Sequence, residues 1–327
     1  MTPIRVLASL FCLLACQTSR ADLTLRHSIE VKFGAFLPPE AIEAIKTQMA
    51  SGLPNEVVTR VKGDKVYTKS GPVTSIMDCS TDQITLLNAG AKKYATVPMA
   101  DYPGTLQGAT MISPAVQKMF QDLKFDVQTK KTGRAGLLQG IRADEHEIVV
   151  SVEMPGPQHT TAGFVMTIQQ WIASPEETGR VPAIGEFAGF SARVQSKTNS
   201  YDVIQKVFSQ FPGMGEKLGA PLAELMKKNG SLVLKMHVSA QAPAIAQLFQ
   251  QMKDSGDSLP AGFDPGAPLF EFTMDLAEIS TAAIPDAVFA TPADYQTAPM
   301  EELLKAAMPH RPIPGPKTFG QTPPPSQ

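Results

Sequence analysis

The densest group of side chains that could bind a metal ion is the run Asp144-Glu145-His146-Glu147. Carboxylates and imidazoles are common ligands of divalent metals, but a site needs them to converge on one point. Alternating apolar residues indicate a strand here, which sends Asp144 and His146 to one face and Glu145 and Glu147 to the other. We therefore interpret the run as a solvated turn entering a strand, and we expect no metal site and no cofactor.

Common motifs of enzymatic chemistry are missing from the sequence. It has no Gly-x-Ser-x-Gly elbow for a nucleophilic serine, no His-Glu-x-x-His zinc motif and no phosphate-binding Gly-x-x-x-x-Gly-Lys-Ser/Thr loop. His27 and His237 lie inside predicted strands, where a histidine is usually structural, and His159 and His310 lie in a loop and the tail. We expect no catalytic residue; a hydrolase that depends on His146 or His237 is the enzymatic alternative.

The N-terminus has the pattern of a bacterial signal peptide. Arg5 precedes a mostly apolar run over residues 6–15, which is too short to span a bilayer. Ser19-Arg20-Ala21 fits cleavage before Asp22, so residues 1–21 are the predicted leader and the product is expected in the periplasm. Alternatively, the segment ending in Cys16 resembles a lipobox, and a lipidated Cys16 would anchor the protein to a membrane.

Charge and cysteine content exclude several classes of protein. The whole chain has 29 basic and 31 acidic residues and a net charge of −2, and loss of Arg5 and Arg20 with the leader leaves 27 against 31, or −4. This mild acidity argues against nucleic acid as a partner and against electrostatic docking on anionic lipid. Two of the three cysteines lie in the leader. Only Cys79 remains, so no internal disulfide is expected, and we expect its thiol to be buried.

Period-two alternation of apolar residues recurs along the chain and predicts a sheet-rich α+β fold. Two-residue turns such as Gly63-Asp64 connect the shorter segments, which is typical of an antiparallel meander. We expect a single curved antiparallel sheet that is wet on its outside. The predicted strands are Leu23–Phe33, Val57–Lys62, Lys65–Lys69, Val73–Met77, Gln83–Asn88, Lys93–Val97, Ile141–Met154, Thr161–Ala173, Ser231–Gln241 and one around Phe270–Leu276.

Amphipathic segments predict helices that cover this sheet. Three of them follow one another and form a predicted lid around residues 184–228. The predicted helices are Pro38–Ser51, Ser113–Leu123, Ile184–Gln195, Tyr201–Phe211, Glu216–Lys228, Pro243–Lys253 and Pro299–Ala307. We expect one domain over residues 22–308, followed by a disordered, proline-rich tail over residues 309–327.

Four features of the sequence stand in a characteristic order: the meander segments Val61–Tyr67 and Thr81–Leu87, Trp171-Ile172 followed by Thr178–Pro182, and Ile284–Phe289 near the end. In these features and in the order of its elements the chain resembles the LolA/LolB superfamily of periplasmic lipoprotein carriers. The resemblance implies an open, incomplete β-barrel whose concave face is covered by helices around an apolar cavity. Family carriers also use an arginine to couple lid and barrel. The candidates for that role are Arg60, Arg134, Arg142, Arg180 and Arg193.

The predicted binding residues are apolar. Methionine, used 15 times, suits surfaces that accept irregular hydrophobic shapes, although any one methionine could equally fill a core. Trp171 falls on the more polar face of its predicted strand, so another element or a ligand must cover it, and the predicted lid supplies two phenylalanines. The candidate ligand-binding residues are Met166, Trp171, Phe187, Phe190, Met236 and Phe272.

These residues favour a non-catalytic protein that binds a lipid, acyl chain or other hydrophobic molecule in an apolar cavity. The alternative is an envelope interaction or sensory module, in which the same fold recognises a protein partner through a surface patch or an exposed strand edge.

Overall fold

A computed structural model describes residues 22–34, 43, 54–109, 123–153, 162–198, 232–255, 264 and 266–307. Several predictions made from the sequence lie outside these residues. They are the leader 1–21, the helices Tyr201–Phe211 and Glu216–Lys228, nearly all of the helices Pro38–Ser51 and Ser113–Leu123, and the tail 309–327.

The described residues form a sheet-rich fold with few helices, as the alternation predicts. All predicted strands are present, most of them within one or two residues of their predicted bounds. The strands are β1 Leu23–Phe33, β2 Glu56–Lys62, β3 Lys65–Ser70, β4 Val73–Asp78, β5 Gln83–Asn88, β6 Lys93–Pro98, β7 Lys124–Leu138, β8 Ile141–Glu153, β9 Ala162–Ala173, β10 Val233–Gln241, β11 Phe270–Ser280 and β12 Gln296–Thr297.

All twelve strands belong to one sheet, in the order β12-β6-β5-β4-β3-β2-β1-β11-β10-β9-β8-β7. Neighbours pair antiparallel except β12, which runs parallel to β6. The sheet does not close, so β12 and β7 are its edges. The meander is made by tight turns, and Gly63 and Gly71 have positive φ angles of 57° and 60° that suit glycine at these turns.

The described helices run from 6 to 17 residues. They are α1 Tyr102–Ala109, α2 Pro175–Arg180, α3 Pro182–Thr198, α4 Pro243–Asp254 and α5 Met300–Ala307, with a 3₁₀ turn at Asp286–Phe289. The helix α3 corresponds to the predicted helix Ile184–Gln195. Its residues Ile184 and Phe190 belong to the largest cluster of buried apolar side chains, which also contains Leu23 and Leu234 and which we call the main core. None of the described helices is long and apolar enough to cross a bilayer.

The meander is covered on both faces, which the sequence interpretation of a wet outer face missed. Leu86 and Leu87 are neighbours in β5 and point to opposite faces, yet both are buried, at 3% and 7% exposure. Leu86 packs with Leu303 of α5, and Leu87 packs with Phe289 of the 3₁₀ turn. Residues 281–307, the C-terminal clasp, therefore pass from one face of the sheet around the β6 edge to the other.

The buried face of the sheet changes along β8, close to a bulge between the neighbouring strands β9 and β10. In β8 the buried residues are Ile141, Ala143 and Glu145 at first, and then Ile148, Val150 and Val152, which lie on the opposite face. The change coincides with a register shift between β10 and β9 at Val233/Lys235. When a strand contains one extra residue, the side chains that follow it point to the opposite face of the sheet from the one that simple alternation predicts. The main core and the apolar surface described below thus share a face on β1 but lie on opposite faces of β8.

Candidate functional site

Three of the six predicted binding residues lie together in one apolar surface. Phe272 of β11 is opposite Val31 of β1 and Val238 of β10, and Met236 is opposite Met274. Met166 of β9 lies opposite Val150 of β8. Directly paired residues share a face, so the register joins them into continuous rows. We call this surface the apolar wall; it comprises Ile29, Val31, Phe33, Ile148, Val150, Met166, Ile168, Met236, Val238, Phe270, Phe272 and Met274.

The apolar wall is not packed as tightly as a core. Ile148 and Val150 are buried, whereas its side chains on β1, β9, β10 and β11 are half-buried. Along one edge the wall ends in polar groups, because Gln170 and His146 continue the row of Met236. The Gln170 side-chain amide lies 3.6 Å from the Met236 sulfur. The wall thus offers a broad hydrophobic surface with polar groups at one side.

The opposite face of β1, β10 and β11 is polar at these positions. Lys32 of β1 lies opposite Glu271 of β11 on this face. The amine of Lys235 in β10 lies 3.3 Å from the carboxylate of Asp275 in β11. His237 contacts the Thr273 hydroxyl at 3.2 Å. An antiparallel sheet with one apolar and one charged face keeps the charged face in water, so a ligand or a covering segment would meet the apolar wall.

The other three predicted binding residues, Trp171, Phe187 and Phe190, belong to the main core. Phe190 is 4% exposed, and the other two are partly buried against the same cluster. The register places Trp171 on the face opposite Met166 and Ile168, as the alternation predicts. Gly136 lies beneath its ring, because a Cβ at that position would be 3.1 Å from the indole. Core elements therefore cover Trp171.

Two basic side chains hold α3 to the turns of the meander. The Arg193 Nε lies 3.3 Å from an Asp64 carboxylate oxygen, and the guanidinium also donates to the Gly63 carbonyl at 3.3 Å. Lys197 pairs with Asp82 and donates to the Cys79 carbonyl at 2.8 Å. Of the arginines considered for joining helix and sheet, Arg193 is the one that links α3 to the meander. Arg180 instead links α2 to the Gly140 carbonyl in the turn between β7 and β8.

The interpretation of residues 144–147 as a solvated turn is wrong. They lie within β8, and the Glu145 side chain is 3% exposed. Arg134 of β7 forms an ion pair with it, and Arg134 lies where β7 bulges between Lys131 and Ala135. Sequence reasoning missed this pair because β7 lacks the apolar alternation of a core strand. The only available signal was a carboxylate at a position where the alternation of Ile141 and Ala143 predicts a buried residue.

Reactive groups do not converge in the part of the chain that the structure describes. No three His, Cys, Asp or Glu side chains lie close enough there to hold a metal ion. Cys79 is a free, buried thiol, and burial raises its pKa, so the unreactive neutral form is favoured.

His27 is expected to make stability depend on pH. Its side chain is buried, with Nε2 3.1 Å from the Val233 carbonyl, and burial lowers its pKa despite that hydrogen bond. The unfolded chain therefore takes up the proton first on acidification. The free energy of unfolding should fall as the pH drops through the ordinary histidine range near 6.5, by at most about 1.4 kcal/mol per pH unit from this residue.

Urea unfolding of the wild type and of His27→Gln between pH 7.5 and 5.5 measures this contribution. The variant should lose less stability over that interval than the wild type. Identical slopes for the two proteins would show that His27 does not titrate differently in the folded and unfolded states.

A scan against protein-family models found no match for this chain, and a search of curated proteins found no similar sequence.

Proposed function

We propose that this chain is an exported, LolA/LolB-like envelope protein that binds a lipid or acyl chain without a catalytic step. The observation that carries the proposal is the apolar wall, with large side chains such as Met236 and Phe272 half-buried. Single apolar side chains at a surface are ordinary, but a large contiguous apolar patch on a folded protein usually marks a binding surface. In the proposed architecture the sheet is a curved half-barrel over residues 22–308, with the wall on its concave side.

Helices are proposed to cover that concave side, with the lid around residues 184–228. Phe187 and Phe190 of α3 belong to the same core cluster as Trp171, so we propose that these three side chains anchor the lid beside β1, where core and wall share a face, and are not the ligand surface itself. Arg193 is the arginine proposed to couple lid and sheet, since it reaches the Gly63-Asp64 turn. Export to the periplasm is proposed from the leader, with lipidation at Cys16 as the alternative.

Affinity for such a ligand would come from buried apolar area. Burying one large side chain against the ligand contributes about 1.5–3 kcal/mol, so polar replacement of one wall residue should weaken binding about tenfold or more. Met236→Gln and Phe272→Gln test this at the centre of the wall. Ser239→Gln is the matched control, because Ser239 lies in β10 on the polar face, opposite Glu271 of β11.

The measurement is displacement of a fluorescent fatty-acid analogue from the processed, delipidated protein, together with native mass spectrometry of the protein as purified. We expect co-purified lipid, weaker binding in the two wall variants and wild-type binding in Ser239→Gln. A protein that carries no lipid and binds no acyl chain at micromolar concentration would contradict the proposal, as would equal losses in all three variants.

The second candidate, recognition of a protein partner, is favoured by β7. This strand is 15 residues long, is largely exposed and forms an edge of the described sheet, and its Leu137 is 74% exposed. An edge strand offers unpaired backbone groups to an extended peptide, and Lys130 and Lys131 would favour an acidic one. Partner binding that survives Met236→Gln and Phe272→Gln but is lost on replacing Lys130 and Lys131 with glutamate would favour this function.

A further inference from the structure

A pocket of about 240 Å³ lies on the polar face of β1, β2 and β3, away from the apolar wall. Its floor is Val58, which is 7% exposed. Arg26 and Lys69 flank Val58 directly, because the register places Arg26 opposite Val58 and Val58 opposite Lys69. A short side chain between two long ones leaves a depression, and its lining carries three cations, Arg26, Arg60 and Lys69, and one carboxylate, Glu56.

The next row along the strands closes one end of the pocket. Arg60 of β2 lies opposite Tyr67 of β3, and its guanidinium carbon is 5.3 Å from the centre of the Tyr67 ring. This stacking restricts where the guanidinium can go. Lys69 is the diagonal neighbour of Arg60, and such pairs have Cα atoms about 7–8 Å apart, within reach of long side chains. Both cations can therefore approach one bound group.

The charges around the pocket are not balanced. Arg26 contacts Glu56 at 2.7 Å and Glu278 at 3.0 Å, so these three groups together carry a net charge of −1. Arg60 and Lys69, in contrast, have no carboxylate partner among the residues that the structure describes. Two cations with a shared depression between them form a site for an anion with several oxygens.

We propose that this pocket binds a phosphate group, either as inorganic phosphate or as the headgroup of a phospholipid. The three cations Arg26, Arg60 and Lys69 and the two carboxylates Glu56 and Glu278 sum to +1, which matches a singly charged phosphate group. Arginine donates two parallel hydrogen bonds to phosphate oxygens, and lysine adds a compact positive charge. The chain as a whole is acidic, so binding depends on these local charges. The site lies on the opposite face of β1 from the apolar wall, and it does not depend on the function proposed for that wall.

Titration of the processed full-length protein with inorganic phosphate at constant ionic strength tests the site, by calorimetry and by amide NMR shifts. Arg60→Gln and Lys69→Gln should each weaken binding about tenfold, the effect of one charge-assisted hydrogen bond, while Arg60→Lys should retain part of it. Lys32→Gln is the matched control, because Lys32 lies on the same face of β1 and pairs with Glu30 at 3.2 Å. It should bind like the wild type.

Vesicles distinguish the two sources of phosphate. If the group is a headgroup, the protein binds phosphatidic acid vesicles but not phosphatidylcholine vesicles, and inorganic phosphate displaces it; if the group is free phosphate, only the titration gives binding. The proposal is overturned if no saturable phosphate binding occurs below about 10 mM, the weak end of ordinary affinities. It is also overturned if Lys32→Gln weakens phosphate binding as much as Arg60→Gln and Lys69→Gln do. A third contrary result would be binding to phosphatidic acid vesicles that added inorganic phosphate does not reduce.

Discussion

A chain that lacks residues 299–327 should be unfolded or only partly folded at 25 °C, whereas a chain that lacks only residues 308–327 should be as stable as the full protein. The longer of these two truncated chains keeps α5, and the shorter one lacks it. Met300, Leu303 and Leu304 of this helix are 6%, 1% and 5% exposed and pack with Leu86 and Ala95 of the meander. Without α5 that face of β5 and β6 would be open to water.

The expected loss is comparable with the whole stability of a protein. Removal of one buried leucine or methionine side chain costs about 2–5 kcal/mol, so loss of three costs about 6 kcal/mol or more, against a typical total of about 5–15 kcal/mol. The exposed ion pair between Lys93 and Glu302, at 2.6 Å, adds little because solvent screens it. Far-UV circular dichroism and urea titration of the two truncated chains measure the difference.

Point variants separate the packing of α5 from the length of the chain. Leu303→Ala should lower the free energy of unfolding by about 2–5 kcal/mol, while Lys305→Ala, at an exposed position of the same helix, should change it by less than about 0.5 kcal/mol. Equal urea midpoints for the two truncations would mean that the C-terminal clasp does not hold the meander together.

The clasp also shows where sequence reasoning reached its limit. The short strands of the meander were predictable because alternation and two-residue turns such as Gly63-Asp64 are local signals. What covers those strands is not local. Leu87 meets Phe289, about two hundred positions away, and nothing in the pattern around Leu87 indicates that both faces of β5 are buried. The predicted wet outer face followed from treating each strand alone.

The edge strand β7 was not predicted, for a related reason. Over Lys124–Leu138 most side chains are exposed, so the strand lacks the apolar alternation that reveals a half-buried strand. Its place is fixed by backbone pairing with β8, which a residue pattern does not record. Strands that bury little on either face are therefore the ones that sequence reasoning misses.

The candidate binding residues separated into two groups because of bulges. Alternation correctly placed Trp171 opposite Met166 and Ile168, but it could not show that the core changes face between β10 and β9. That change puts Trp171 with Phe190 in the main core and leaves Met166 with Met236 and Phe272 on the apolar wall. A register shift depends on pairing between distant strands, so its position follows from the assembled sheet rather than from either strand.

The same region supplies the second large effect, which concerns the buried carboxylate Glu145. Arg134→Ala should lower the free energy of unfolding by about 3 kcal/mol, because it leaves a charge without its partner in a site where the Glu145 side chain is 3% exposed. The Arg134 side chain is 58% exposed, so water can reach part of the vacated space, which keeps the loss at the lower end of the range for a broken buried pair. Lys130→Ala, at an exposed position of β7, should have little effect.

A variant that replaces both partners distinguishes the loss of the pair from the burial of a charge. Replacing both partners, as Arg134→Met with Glu145→Leu, removes the charge and its partner together, so this variant should be more stable than Arg134→Ala and close to the wild type. Trp171, the single tryptophan, lies opposite Glu145 on β9, so urea unfolding can be followed by its fluorescence at the site of the change. If the double variant were as unstable as Arg134→Ala, the ion pair itself would be holding the β7 bulge in place. If neither variant lost stability, Glu145 would have to be solvated, contrary to its burial beside the main core.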